Sequence, residues 1–321
     1  MPYLETPERV DRILASLQDL AWIDLNEPEV WSSNGFPAIH DKSYITFLET
    51  AWREWRRYNA SGSDLTKIDP LLPATFALRR PSILPETILG KAGYYMMDLS
   101  ACLVEGTYKA AMGAVNCAVS AAEATFNEGK NSFALCRPPG HHAGRDFAGG
   151  YCFINNAAAA AHWLSERGRT AILDVDYHAG NGTQDIFYDR DDVLTISIHA
   201  DPAYEYPYFA GNPEEVGSGR GQNYHRNFPL PKGTGDSLYL VALDNALNRI
   251  IEHQPHYLVV SLGLDIYGGD PLGKFNISRP GIGKIGKRIA DLAVPTCVVM
   301  EGGYATQDLG DTLVVFLENF R

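Results

Sequence analysis

Asp174, Asp176 and His178 stand at spacing two in the stretch Ala171-Ile-Leu-Asp-Val-Asp-Tyr-His-Ala-Gly-Asn-Gly. The run from Ala171 to Leu173 is apolar, as in a buried parallel strand. Side chains of an extended chain alternate faces, so the three polar residues share one face until Gly180, Asn181 and Gly182 break the strand. A carboxylate and an imidazole pressed together at a strand end suit a divalent cation. The plain alternative is an Asp that caps a turn and a His satisfied by backbone. A second carboxylate changes the balance. Ser261-Leu-Gly-Leu-Asp265 ends another apolar run, and an unpaired buried Asp265 needs a cation or hydrogen-bond donors. Asp176, His178 and Asp265 together make three ligands with a position left open, the pattern of a catalytic rather than a structural zinc.

His141 and His142 follow Pro138-Pro139-Gly140, which forces a rigid turn. A neutral His beside a metal-bound water acts as general base and later as general acid. Asp174 and Asn181 are candidates to fix the tautomers of such histidines. Glu301-Gly302-Gly303-Tyr304 places a phenol on a flexible Gly pair, where it is able to donate to a developing oxyanion. Gly149-Gly150-Tyr151-Cys152-Phe153 and Tyr204-Glu-Tyr-Pro-Tyr-Phe209 are aromatic-rich and fit the walls of a narrow apolar channel, or ordinary packing.

Elements must bring these groups together. Apolar strand-like runs occur at Phe133–Cys136, Ala171–Leu173, Val193–Ile198, Tyr257–Leu262 and Thr296–Met300. Helical stretches lie between several of them, at Asn155–Arg167, Asp236–His253 and about Ile282–Leu292. Strands alternating with helices predict an α/β fold, a doubly wound, mostly parallel sheet flanked by helices, and a single catalytic domain over 1–321. A polar cluster follows each strand: Arg137 to His142, Asp176 to His178, His199 to Asp201, Asp265, and Glu301 to Tyr304. Ligands of open α/β sheets bind outside the carboxyl ends of the strands, so these clusters should meet in one crevice. Upstream, residues 6–22 read as a helix capped by Thr6 with Pro7 at its first position. A second helix falls within His40–Tyr58, and an Ala-rich one runs from Thr107 to Glu128 with Gly129 ending it. Residues 59–92 are rich in Ser, Gly, Pro and Leu without periodicity, and read as a loop that roofs the site or meets a partner subunit.

Composition narrows the partners. The chain has 321 residues, 45% hydrophobic and 21% charged, the profile of a globular protein, and a formal net charge of −12. Such a charge argues against nucleic acid as a partner and leaves cationic substrates open. The five Cys include no C-x-x-C, and Cys136, Cys152 and Cys297 read as reduced, buried thiols. No signal peptide and no run of about twenty apolar residues is visible, so no membrane span is expected and a cytoplasmic location is.

Taken together, RPPGHHAG, GGYCFINN, ILDVDYHAGNGTQDIFY, SLGLD and MEGGY resemble the arginase–deacetylase superfamily, specifically the histone-deacetylase-like and acetylpolyamine amidohydrolases. The resemblance runs from about Glu5 to the C-terminus. It implies a zinc hydrolase of acetyl amides with one zinc per chain on Asp176, His178 and Asp265. It implies that His141 and His142 are the catalytic pair, with His142 the base, that Tyr304 polarises the carbonyl, and that Gly150, Tyr151 and Tyr206 line the substrate tunnel. It also implies a structural potassium held by Asp174, Asp176, His178, Ser197 and Ile198, and a second monovalent site on the carbonyls of Phe187, Arg190, Val193 and Tyr224. A homodimer or larger homo-oligomer is expected.

Departures from the pattern carry their own expectations. Ala179 replaces a His of many members that is no zinc ligand, so the metal site should survive. Asn181, an Asp in some members, leaves His142 without an anionic partner. Leu89 and Ser100 stand where an acetylpolyamine amidohydrolase carries acidic residues, which puts polyamine specificity in question, although Asp98 is nearby to replace them. Members usually have a strand and loop ahead of the ETPER stretch, so the sheet edge and one pocket wall should differ. An arginase-like two-manganese site is the competing enzyme class, but Gly180 stands where it requires a further Asp. A silent acyl-ligand binding module is the non-enzyme alternative, and the presence of every catalytic residue type argues against it. The substrate, whether an acetylpolyamine, acetyl-lysine or another small amide including a xenobiotic, is not read from these residues.

Overall fold

Five short apolar runs and one polar stretch become the strands of one sheet in the computed structural model, which describes residues 3–31, 38–60, 68–77 and 83–321. They are β1 (Ser132–Ala134), β2 (Thr170–Asp174), β3 (Val193–Ala200), β4 (His225–Leu230), β5 (Tyr257–Leu262) and β6 (Thr296–Met300). Their order across the sheet is β1-β6-β5-β2-β3-β4, and every pairing is parallel. The predicted parallel α/β sheet is therefore present, with one strand more than expected. β4 escaped notice because His225, Arg226, Asn227 and Pro229 hide its apolar alternation; it is an edge strand, the place where a proline is tolerated.

The strands are buried on both faces, and their side chains sort alternately into two cores. Ile172, Val259, Cys297 and Val299 face one core, packed by α2 (Lys42–Asn59), α3 (Ile88–Tyr95), α4 (Thr107–Glu128) and α5 (Asn156–Ser165). Ala171, Leu173, Leu258, Val260, Val298 and Met300 face the other, packed by α1 (Glu8–Leu17), α7 (Asp236–His253), α8 (Arg279–Ala290) and α9 (Leu309–Leu317). Helix α6 (Asn181–Phe187) follows the metal-ligand stretch directly.

α4 ends on Gly129 at φ +63°, the left-handed cap expected there. α1 is shorter than expected: Thr6 is not its cap, because Pro7 takes that place without a side-chain cap bond. Within 59–92, residues 61–67 and 78–82 lie outside the described residues, and the last part is helical rather than irregular, since α3 begins at Ile88 behind a Thr87 cap that accepts from Gly90 N–H.

The strand order fixes where a site belongs. From β2 the chain moves outward through β3 to β4, then returns to place β5 on the opposite side of β2. The strand order reverses between the parallel neighbours β2 and β5, and connections leaving these neighbours on opposite faces open a crevice at their carboxyl ends. Asp176 and His178 follow β2; Asp265 follows β5.

Candidate active site

β2 ends at Asp174, so the chain leaves the strand before Asp176 and His178 rather than carrying all three on one extended face. The turn separates their tasks. Asp174 looks to His141, whose Nδ1 lies 2.9 Å from its Oδ2. Asp176 and His178 look across the crevice to Asp265. His178 Nδ1 is 3.2 Å from Asp176 Oδ1 and 3.1 Å from Asp265 Oδ2. Asp176, His178 and Asp265 form a cluster whose ligand atoms all lie within 4.8 Å of one another.

The remaining carboxylate contacts hold this cluster rigid. Asp176 Oδ2 accepts from Gly302 N–H at 2.9 Å, and Asp265 Oδ1 accepts from Tyr177 N–H at 2.9 Å. A side chain at Gly302 has no room, since a Cβ there would sit 2.6 Å from carboxylate oxygens of both Asp176 and Asp265. Two buried carboxylates facing each other are poorly balanced by one imidazole. Burial and the Asp176 charge push Asp265 up to about 7. His178 Nδ1 thus stands from an oxygen of each carboxylate at about the 3.3 Å edge of a tetrahedron with bonds near 2 Å, and two carboxylates with one imidazole nitrogen are a donor set that fits a divalent ion.

The tandem histidines arrive on the turn after β1, with ring centroids 4.0 Å apart, and both are buried. Glu301 fastens that turn: its Oε2 accepts from Gly140 N–H at 2.7 Å and His141 N–H at 3.1 Å. Their partners then drive the two rings apart electrostatically. Burial alone would lower His141, but the charges of Asp176 and Asp174 outweigh it and hold it well above the usual imidazole range. His142 is held well below that range by burial and by the neighbouring His141 and His178. Its Nδ1 meets the side-chain oxygen of Asn181 at 2.7 Å, a neutral acceptor. That contact puts the proton on Nδ1 and leaves Nε2 bare. The two adjacent imidazoles are therefore pushed in opposite directions, His141 towards its charged form and His142 towards its neutral form.

Tyr304 reaches the same crevice from the loop after β6. The Gly pair before it is pinned rather than flexible. Gly302 O accepts from Leu264 N–H at 3.0 Å, and Gly303 O accepts from Arg9 Nε at 2.7 Å. Arg9 also donates to Glu301 O at 2.6 Å and to Glu5 at 3.0 Å, and its guanidinium lies 4.9 Å from the Tyr304 ring centre. Burial holds the phenol well above its usual pKa, so it carries its proton.

Aromatic rings form the approach. Tyr206 stands 4.9 Å from the His142 ring and 5.9 Å from the His178 ring; Tyr151 stands 5.9 Å from Tyr304. Gly150 is needed where it is, since a Cβ there would meet the His142 ring at 2.1 Å. Asp98 braces both walls, its Oδ2 accepting from Gly150 N–H at 2.8 Å and Tyr206 O–H at 2.7 Å. Its Oδ1 accepts from Ser100 and Ala101, so the carboxylate considered for a cationic chain is already engaged by protein donors.

The expected clusters thus meet at one sheet edge, with one exception. The cluster His199 to Asp201 splits, since His199 turns inward to Ser197 Oγ at 2.7 Å and Gly211 O at 2.9 Å, while Asp201 caps Ala203 N–H. The sequence reading missed Arg9, the fastening role of Glu301, and Asp270, whose carboxylate accepts the Tyr304 N–H. Only Asp270 had a signal, an Asp before Pro271 in a turn.

Comparison with known proteins places the chain in a family. Residues 3–319 match the histone deacetylase domain, and the chain belongs to that family. It is 43% identical to acetylpolyamine amidohydrolase 1 of Pseudomonas aeruginosa, covering 100% of this chain and 92% of that protein. It is 41% identical to the acetylpolyamine amidohydrolase of Mycoplana ramosa, over 97% and 90% of the two chains. The crystal structure of an acetylpolyamine aminohydrolase from Burkholderia pseudomallei superposes with a TM-score of 0.93 at 38% identity, over 100% of this chain and 91% of that one. The chain is accordingly an enzyme of the deacetylase type, acting on amide bonds.

Proposed function

We propose that this protein removes acetyl or short acyl groups from small amines, with acetylpolyamines as the leading substrates, using one zinc held by Asp176, His178 and Asp265. The observation that carries this is the Asp176–His178–Asp265 cluster set beside two buried histidines, one paired with the Asp174 carboxylate and the other with the Asn181 amide oxygen. Bound there, zinc supplies Lewis acidity and a water acidified towards neutral pH. His142 Nε2 takes the proton of the attacking water. His141, charged through Asp174, stabilises the developing anion, and one of the pair returns a proton to the leaving amine. The Tyr304 hydroxyl donates to the carbonyl oxygen as negative charge develops on it. Tyr151 and Tyr206 confine the substrate to a slender chain. Full-length relatives named for acetylpolyamines support that substrate class.

The wider reading is one catalytic domain over the whole chain, cytoplasmic and homo-oligomeric, without nucleic acid or membrane partners. No helix among the described residues is long and apolar enough to cross a membrane. Apolar side chains exposed at Leu72, Phe76, Ile83 and Leu84 support a partner subunit against the 59–92 segment. A potassium beneath the site, on oxygens of Asp174, Asp176, His178, Ser197 and Ile198, draws support from the register that sets Ser197 opposite Asp174. For a second monovalent ion on Phe187, Arg190, Val193 and Tyr224, the Phe187 carbonyl accepts one N–H bond, from Arg190, and has a second lone pair to offer, whereas the Tyr224 carbonyl accepts from both Thr195 N–H and Thr195 Oγ1.

Turnover of acetylputrescine, acetyl-lysine peptides and simple anilides tests the reading. Acetylputrescine is expected to be cleaved fastest, with activity lost on chelation and restored by zinc. Undiminished cleavage by metal-free protein would refute it.

A further inference from the structure

Asp270 is a buried carboxylate, five residues beyond Asp265, that the proposed chemistry does not use. Its two oxygens serve two different loops. Oδ1 accepts from Leu272 N–H at 2.8 Å and Gly273 N–H at 3.2 Å, closing the loop after β5 upon itself. Oδ2 crosses to the loop after β6 and accepts from Tyr304 N–H at 2.6 Å and Ala305 N–H at 3.0 Å. The first loop has no slack, because a Cβ on Gly273 would lie 1.7 Å from the Asp265 carbonyl oxygen. The Asp270 side chain therefore ties the backbone of Tyr304 to the segment that carries Asp265.

We propose that Asp270 is a positioning residue for the deacetylation step, setting the Tyr304 main chain and hence the aim of its phenol toward the Asp176–His178–Asp265 centre. This rests on the reading that the Tyr304 hydroxyl donates to the substrate carbonyl. The physical argument is one of acceptors. Four N–H groups from two segments, those of Gly273 and Tyr304 buried and those of Leu272 and Ala305 part-buried, need lone pairs on both sides of one group, and an ionised carboxylate offers them. An amide of the same shape offers an oxygen on one side only. In Asp270→Asn the NH2 must face either Leu272 and Gly273 or Tyr304 and Ala305, two donors against donors. A displacement of the phenol by a fraction of an ångström weakens an interaction that matters only in the transition state, so kcat falls while KM holds.

The test is a double-mutant cycle on the zinc-loaded full chain with acetylputrescine: wild type, Asp270→Asn, Tyr304→Phe and the double variant, with zinc content measured for each. Asp270→Asn is expected to lower kcat at least ~10-fold with KM within about twofold and zinc content unchanged, yet to change kcat less than about twofold when Tyr304 is already Phe. Equal fold-losses in both backgrounds, or loss of zinc, would overturn the proposal, because general disorder does not depend on the Tyr304 hydroxyl. A Tyr304→Phe protein of undiminished kcat would instead remove the role of Tyr304, and this inference with it. If Asp270→Asn does not fold, Asp270→Glu runs the same cycle: it keeps the charge but shifts both oxygens by one methylene, and the same pattern is expected.

Discussion

At the residue scale the division of labour rests on what each histidine is given as a partner. His141 faces Asp174; His142 faces Asn181, whose oxygen accepts without adding charge. Replacing Asn181 by Asp would put an anion 2.7 Å from Nδ1, which favours the imidazolium and raises the pKa of His142. A base works only in its neutral form. The acidic limb of kcat/KM should therefore move to higher pH in Asn181→Asp, with the rate at low pH falling most; a profile superimposable on wild type would contradict the assignment of His142. These ligands and histidines were legible in the sequence because each stands beside a strand-ending Gly or Pro signal. Arg9 was not legible. Besides Glu5, its partners are main-chain oxygens some 290 residues away, at Glu301 and Gly303, and main-chain groups leave no trace in side-chain spacing.

At the scale of elements, α1 stabilises the site from behind. Arg9 and Glu5 are both buried, and Glu5 also meets Arg137 Nε at 2.9 Å. Removing Arg9 leaves Glu5 with that one partner and orphans two carbonyls. Arg9→Met should cost roughly 3 kcal/mol in equilibrium urea unfolding, near the lower end for breaking a buried pair, and should lower activity as the Tyr304 loop loosens. A loss below about 0.5 kcal/mol would show that α1 is not fastened this way. Long elements with strong periodicity were readable to the residue, as with α7 over Asp236–His253 and β6 over Thr296–Met300. β4 was not, because an edge strand keeps its pairing while carrying Arg, Asn and Pro, so tertiary position rather than composition makes it a strand.

At the scale of the whole molecule, three further histidines are buried at widely separated points of the chain. Burial lowers His40, His199 and His225 to about 4 each. Their native pKa lies below the unfolded value near 6.5, so the unfolded chain binds more protons once pH drops through 6.5, and stability falls with pH until about 4. Each should take away about 2 kcal/mol by pH 5. The Tm is expected to drop steadily from pH 7 to pH 5, and a flat Tm over that window would contradict the burial of these rings. The reversal of strand order between β2 and β5 remains the feature on which the proposed function depends, since it brings Asp176 and His178 face to face with Asp265 from a distant segment. The most direct measurement of that claim is the metal content of the purified chain. One zinc per chain is expected, lost in Asp265→Asn and in His178→Ala. No bound zinc, or two divalent ions per chain, would contradict the account.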